Sequence, residues 1–230
     1  RLAADAAHAG THVAISTGTA SGKSLAYQMP VLASLINDPK STALYLSPTK
    51  ALGADQLRSV STLIAGRPEF LHLQPCAYDG DTDPDIRQWA RAHSRWIFTN
   101  PDMLHRGIAP HHDTWARVLA GLRYVVLDEV HVYRGVFGSH VANVLRRLWR
   151  LCAHYGSRPQ VIACSATIRN PGELVSKLTG RPVRALTHDS APRGRKTFLM
   201  LNPKVVDPLT GVRRDYLKVT RAVAKVLVRH

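Results

Sequence analysis

Two short stretches carry side chains able to manage a phosphate and a metal ion together. The first is Thr17-Gly18-Thr19-Ala20-Ser21-Gly22-Lys23-Ser24. Small residues let a backbone curl until its N–H groups converge on anionic oxygens. A helix starting there adds the positive end of its dipole. In such a loop Lys23 reaches the β- and γ-phosphates of a nucleotide, and the Ser24 hydroxyl ligates Mg²⁺. The strict spacing of a phosphate loop is not met, because Thr17 stands at its first position and Gly18 comes one residue late. The second stretch is Asp128-Glu129-Val130-His131, directly after the apolar run Tyr124–Leu127. Facing a phosphate loop, Asp128 holds the metal directly or through water. Glu129 orients and deprotonates a water, and His131 senses the terminal phosphate. The plain alternative is a helix start capped by acidic residues.

A third cluster, Ser165-Ala166-Thr167, follows the apolar run Val161–Cys164. Its two hydroxyls suit a link between the acidic segment and a nucleic-acid groove. They suit a turn capping the next helix equally well.

These clusters need a scaffold that puts them on one edge, and the sequence alternates strand and helix signals with short breaks. Strands are expected at His12–Ser16, Thr42–Leu46, Leu71–Ala77, Arg95–Thr99, Tyr124–Leu127, Val161–Cys164 and Val183–Leu186. Helices are expected from Lys23 to about Asn37, over Lys50–Ala65, Pro84–His93, Ser139–His154 and Pro171–Leu178. Asn100-Pro101-Asp102 starts a short helix, and Gly107–Asp113 reads as a loop rich in His and Pro. Alternation at these lengths predicts a three-layer α/β domain with a parallel sheet. Ligands of such sheets bind at the carboxyl ends of the strands, where every polar cluster falls. After Pro192 the texture changes: Arg193 to Lys196 is basic, Thr197–Leu201 reads as a strand, Pro203–Arg214 as a loop and Asp215–Arg229 as a helix.

The chain has 230 residues, 45% of them hydrophobic, enough for a core in one large domain. Lys and Arg number 31 against 16 Asp and Glu, a formal charge of +15 that points toward a polyanionic partner, nucleic acid first. Cys76, Cys152 and Cys164 are far apart and fit neither a disulfide framework nor a zinc pattern. No apolar run is long enough to span a membrane and the start carries no leader pattern, so a cytoplasmic location is expected. Arg1–Ala9 already reads as helix, and the chain is expected to be a fragment of something longer.

Thr19-Ala20-Ser21-Gly22-Lys23-Ser24 resembles motif I of the superfamily 2 helicases. Ser47-Pro48-Thr49-Lys50-Ala51-Leu52 resembles motif Ia, Thr99-Asn100-Pro101-Asp102 motif Ib, Asp128-Glu129-Val130-His131 a DEVH form of motif II, and Ser165-Ala166-Thr167 motif III. Tyr78-Asp79-Gly80-Asp81-Thr82 and the stretch from Tyr133 to His140 are more specific, and resemble DEAD/DEAH-like DNA helicases of the mitomycin-repair type. The resemblance extends to about Pro203. It implies an N-terminal RecA-like P-loop NTPase domain over 1–203, and a connector over 204–230 toward a second RecA-like domain.

That resemblance implies ATP and Mg²⁺ as cofactors, held by Thr19, Ala20, Ser21, Gly22, Lys23, Ser24 and Asp128, with Glu129 activating water. It implies that Pro48, Thr49, Lys50, Asp79, Gly80, Thr99, Asn100 and Pro101 line a groove for single-stranded or partly duplex DNA, with RNA possible. Contacts there would be largely to backbone phosphates, independent of base sequence and sensitive to salt. The family's adenine-reading Gln falls at or before Arg1, and its arginine fingers belong to the second domain. A stabilising Arg in phosphoryl transfer is worth about 10³–10⁵ in rate. The 230 residues alone are therefore expected to bind ATP, hydrolyse it very slowly and not unwind DNA. A small-molecule P-loop phosphotransferase is the competing reading, and it leaves the DEVH and Ser-Ala-Thr clusters without a role.

Overall fold

The structure is a computed structural model that describes residues 2–18, 22–188, 200 and 202–227. The chain divides into two compact units, Arg1–Ala191 and Pro192–His230, at the point where composition changes. No helix among the described residues is long and apolar enough to cross a membrane.

The first unit opens with α1 (Leu2–His8), β1 (Val13–Ser16), α2 (Lys23–Asn37), β2 (Thr42–Leu46) and α3 (Lys50–Ile64). Next come β3 (Cys76–Ala77), α4 (Pro84–His93), β4 (Trp96–Thr99), the short α5 (Pro101–Met103) and α6 (Ala116–Ala120). It closes with β5 (Leu122–Leu127), α7 (Gly135–His154), β6 (Gln160–Ser165), α8 (Pro171–Thr179) and β7 (Arg184–Leu186). The seven strands form one sheet in the order β3-β4-β2-β5-β6-β1-β7, with every pair parallel. Parallel strands need crossovers, and helices supply them on both faces.

Side-chain alternation along the strands divides the core in two. Val13, Ile15, Ala43, Tyr45, Trp96, Phe98, Val126, Ile162 and Cys164 face the layer that includes Ala7, Tyr27, Val31, Leu35 and Val60 from α1, α2 and α3. Ala14, Leu44, Leu46, Ile97, Val125, Leu127, Val161 and Ala163 face Leu119, Val141, Leu145, Leu148 and Leu178 from α6, α7 and α8. The central strands are buried on both sides, so their sequences read as continuous apolar runs.

A buried arginine ties the strand starts to the end of α2. Arg95 donates from Nε to Ser41 O at 3.0 Å and from Nη2 to Leu35 O at 2.7 Å, with Asp38 O as a further acceptor. It sits at 5% exposure, and burial pulls its pKa below the ordinary guanidinium value.

Three sequence expectations need correction. The strand foreseen over Leu71–Ala77 is only Cys76–Ala77, because Gln74 adopts a left-handed φ of 46° and Pro75 offers no N–H to a ladder. The helix foreseen from Ser139 begins at Gly135, and a side chain on Gly138 would press a Cβ to 2.5 Å from Tyr133 O. His112, foreseen in a loop, starts a short 3-10 turn and is tethered by its Nδ1 to Tyr155 Oη at 2.8 Å.

In the second unit the stretch expected to be a loop forms a hairpin, β8 (Val205–Asp207) with β9 (Val212–Arg213), followed by α9 (Tyr216–Leu227). Asp207 closes the turn by accepting from Leu209 N at 3.0 Å, and Gly211 takes φ 68°. The basic run Arg193–Lys196 and the strand expected at Thr197–Leu201 lie outside the described residues, apart from Met200.

Candidate nucleotide and nucleic-acid site

The carboxyl edge of the sheet gathers the polar clusters. The phosphate-loop stretch leaves β1, the Ser-Ala-Thr stretch leaves β6 and the acidic stretch leaves β5, three neighbouring strands. Thr19, Ala20 and Ser21 lie outside the described residues. Gly22 takes the left-handed conformation, φ 77° and ψ 20°, and turns the chain into α2 with no side-chain cap on the helix start. Lys23 Nζ donates to the carbonyls of Thr17 at 2.9 Å and Gly18 at 2.8 Å, so the ammonium lies folded over its own loop.

Asp128 is the last residue its ladder fixes, through its N–H to Leu46 O at 2.9 Å. Its carboxylate is held twice: Oδ1 accepts from Glu129 N at 2.9 Å, and Oδ2 accepts from the Tyr45 hydroxyl. Glu129 then takes a left-handed φ of 48°, a strained backbone for a side-chain-bearing residue. Strain of this kind gathers at functional turns. Glu129 Oε2 lies 3.0 Å from His131 Nδ1 but off the line of a hydrogen bond, and it is buried without a hydrogen-bond partner among the described residues. The same Nδ1 lies 3.5 Å from Ser165 Oγ. His131 therefore stands between the acidic pair and the end of β6. Thr167 is exposed, and among the described residues its hydroxyl has no partner.

The Tyr45 contact was not foreseen from the sequence. Tyr45 pairs in register with Val126, so it shares a sheet face with Asp128 two residues on. Burial first, and then the Asp128 carboxylate, push the Tyr45 pKa far above the ordinary phenol range, which keeps the hydroxyl a donor. Tyr27 packs at 5.7 Å from the Tyr45 ring and donates to Gln56 Oε1. On the same face of the sheet the buried Cys164 thiol has its pKa raised, by desolvation first and by Asp128 next.

The nucleic-acid expectations separate into two groups. Pro48, Lys50, Gly80 and Asn100 line one open cleft of about 310 Å³, together with Asp102, Met103 and Arg106. Lys50 is paired there with Asp81 at 2.6 Å, an exposed ion pair of small energetic value. Thr49 caps α3 by accepting from Leu52 N, and Asn100 caps α5 by accepting from Met103 N at 2.8 Å. Asp79 braces its own turn, accepting from Asp81 N at 2.9 Å. Thr99 and Pro101 are largely buried, and the Thr99 hydroxyl donates to Tyr78 O. Thr99 lines a small adjoining pocket together with Ser47, Lys50, Asp79 and Asn100. Arg106, absent from the sequence expectations, lines the larger cleft.

Residues 1–174 match the model of the DEAD/DEAH box helicase family. The chain is 46% identical over 221 residues to "Uncharacterized ATP-dependent helicase YprA" of Bacillus subtilis, covering 96% of this chain and 29% of that protein. It is 42% identical to ATP-dependent helicase HRQ1 of Saccharomyces cerevisiae, covering 96% of this chain and 20% of that protein. Among solved structures, the DUF1998 helicase MrfA bound to DNA and AMPPNP superimposes with a TM-score of 0.93 at 45% identity, over 99% of this chain and 31% of that one. The chain thus spans less than a third of the length of these relatives. Its seven-stranded parallel sheet between helical layers is the RecA-like arrangement of helicase domains.

Proposed function

The chain belongs to the DEAD/DEAH box helicase family, and from that premise we propose that it is the first RecA-like, ATP-binding domain of an ATP-dependent DNA helicase. One observation carries the reading: Lys23, which follows β1, and the Asp128–Glu129 pair, which follows β5, stand on the same sheet edge with only β6 between their strands.

The donor set fits ATP with Mg²⁺. A hydroxyl from Ser24 and a carboxylate from Asp128 are the hard oxygen ligands that Mg²⁺ prefers. Glu129 Oε2 is a buried acceptor with no hydrogen-bond partner among the described residues, as suits a group that takes up a water. When bound, the metal neutralises charge on the phosphates. Lys23 exchanges two loop carbonyls for phosphate oxygens, Tyr45 holds Asp128 in one orientation, and Glu129 directs a water at the terminal phosphate. His131, between Glu129 and Ser165, passes the state of that phosphate to β6. The cleft of Pro48, Lys50, Gly80, Asn100 and Arg106 grips the backbone of one DNA strand, and a second RecA-like domain completes the machine. MrfA in complex with DNA supports DNA over RNA. Three free, buried thiols support a reducing, cytoplasmic setting.

The test is nucleotide binding and DNA-stimulated ATP hydrolysis by the full-length protein and its Lys23→Ala and Glu129→Gln variants. Lys23→Ala is expected to lose nucleotide affinity. Glu129→Gln should keep affinity and lose about 10²–10⁴ in turnover. Hydrolysis that survives Lys23→Ala, or nucleotide affinity indifferent to single-stranded DNA, overturns the reading.

A further inference from the structure

The opposite edge of the sheet, where the strands begin, holds a second concentration of positive charge that nucleotide chemistry at the carboxyl edge does not use. A cleft of about 460 Å³ opens there, lined by Arg123, Arg158, Arg181, His12, Gln160 and Tyr124. β1, which runs from His12 in this cleft to the phosphate loop, is four residues long, which separates the two by about 13 Å.

Its charges are poorly compensated. Arg123 is paired with one carboxylate, Asp38, at 3.4 Å. No carboxylate among the described residues pairs with Arg158 or Arg181. Arg181 is nevertheless held still. Its guanidinium lies 4.2 Å over the Trp149 ring, and Nη1 donates to Pro159 O at 2.6 Å. Its other N–H donors have no protein acceptor among the described residues. A half-buried guanidinium fixed by stacking has already given up the freedom that binding would cost it. His12 adds a neutral imidazole: its Nδ1 accepts from Val161 N at 3.0 Å, and burial together with Arg181 lowers its pKa.

We propose that this cleft is an anion site for a phosphomonoester dianion, held between Arg158 and Arg181 with Arg123 at its rim. Two guanidiniums without a carboxylate match two negative charges, where a phosphodiester brings one. The planar forks suit phosphate oxygens better than point charges do. The dianion comes either from the 5′-phosphate at the end of a nucleic-acid strand or from free phosphate, two sources with the same chemistry.

The experiment is calorimetric titration of orthophosphate into the full-length protein saturated with Mg-AMPPNP, so that the phosphate loop is filled. The wild type is expected to bind, and Arg158→Glu, an exposed position whose variant should fold, is expected to weaken binding at least tenfold while AMPPNP affinity stays unchanged. Competition then assigns the source. Displacement of orthophosphate by a 5′-phosphorylated oligonucleotide and not by its 5′-hydroxyl twin identifies the strand end, and displacement by neither identifies the free anion. Absence of orthophosphate binding, or equal binding by Arg158→Glu, overturns the proposal.

Discussion

Tyr45→Phe deletes one oxygen and leaves a ring that still packs 5.0 Å from Phe98 and 5.7 Å from Tyr27, so no cavity opens. What disappears is the hydroxyl that donates to Asp128 Oδ2. A hydrogen bond to a charged group contributes about 1.5–3 kcal/mol. Asp128 is partly exposed and water replaces some of that, which leaves about 1–2 kcal/mol. In a chain of this size that lowers Tm by about 2–8 °C. The catalytic consequence is separate. If the hydroxyl holds the carboxylate in its metal-binding orientation, the same 1–2 kcal/mol appears in the barrier and reduces kcat about 5- to 30-fold. The Mg²⁺ dependence should move to higher concentration while ATP affinity measured without metal is unaffected. Steady-state ATPase of the full-length protein across a Mg²⁺ series, with thermal unfolding alongside, reads both effects. A variant that melts lower but matches wild-type turnover at every Mg²⁺ concentration would show that Tyr45 supports only the fold.

Two further predictions concern stability. Arg95→Met strands the carbonyls of Leu35, Asp38 and Ser41 and is expected to cost about 3 kcal/mol, seen as a lower urea midpoint with unchanged slope; an unchanged midpoint refutes it. Stability is also expected to fall above about pH 9. Burial, ahead of the nearby carboxylates, pushes Tyr27, Tyr45 and Tyr133 above their ordinary range, and burial lifts Cys152 to about 11 and Cys164 well above its usual value. The unfolded chain releases these protons at their ordinary values while the folded chain keeps them. The stabilisation is therefore complete below the unfolded pKa values and lost as pH rises beyond them. Urea midpoints from pH 7 to 10.5 measure the decline, and a flat profile contradicts it.

Much of the arrangement could be read from residue order because local chemistry and tertiary structure agree. α4 starts and stops where Asp83, Pro84 and Ser94 say it should, with Asp83 accepting from Asp85 N. The chemical clusters follow strands because only there does a parallel sheet leave its backbone open. What escaped reading has physical causes. Tyr45 sits in a run buried on both faces, where polarity no longer marks which side chain meets which. Only the register of β2 against β5 shows that its hydroxyl reaches Asp128. That the Thr99 hydroxyl is already bonded to Tyr78 O is likewise invisible in a motif. Arg123 lies in β5, Arg158 before β6 and Arg181 before β7, and the three share a cleft only once the strands are aligned.

The position of β6 between β1 and β5 has a consequence for size. Two strand spacings amount to about 9.5 Å. The gap between the lysine loop and the carboxylate turn is thus gauged by backbone hydrogen bonds, which point mutations leave intact. Side-chain changes at this edge would alter how firmly a guest is gripped, whereas the length of guest it admits is written into the ladder.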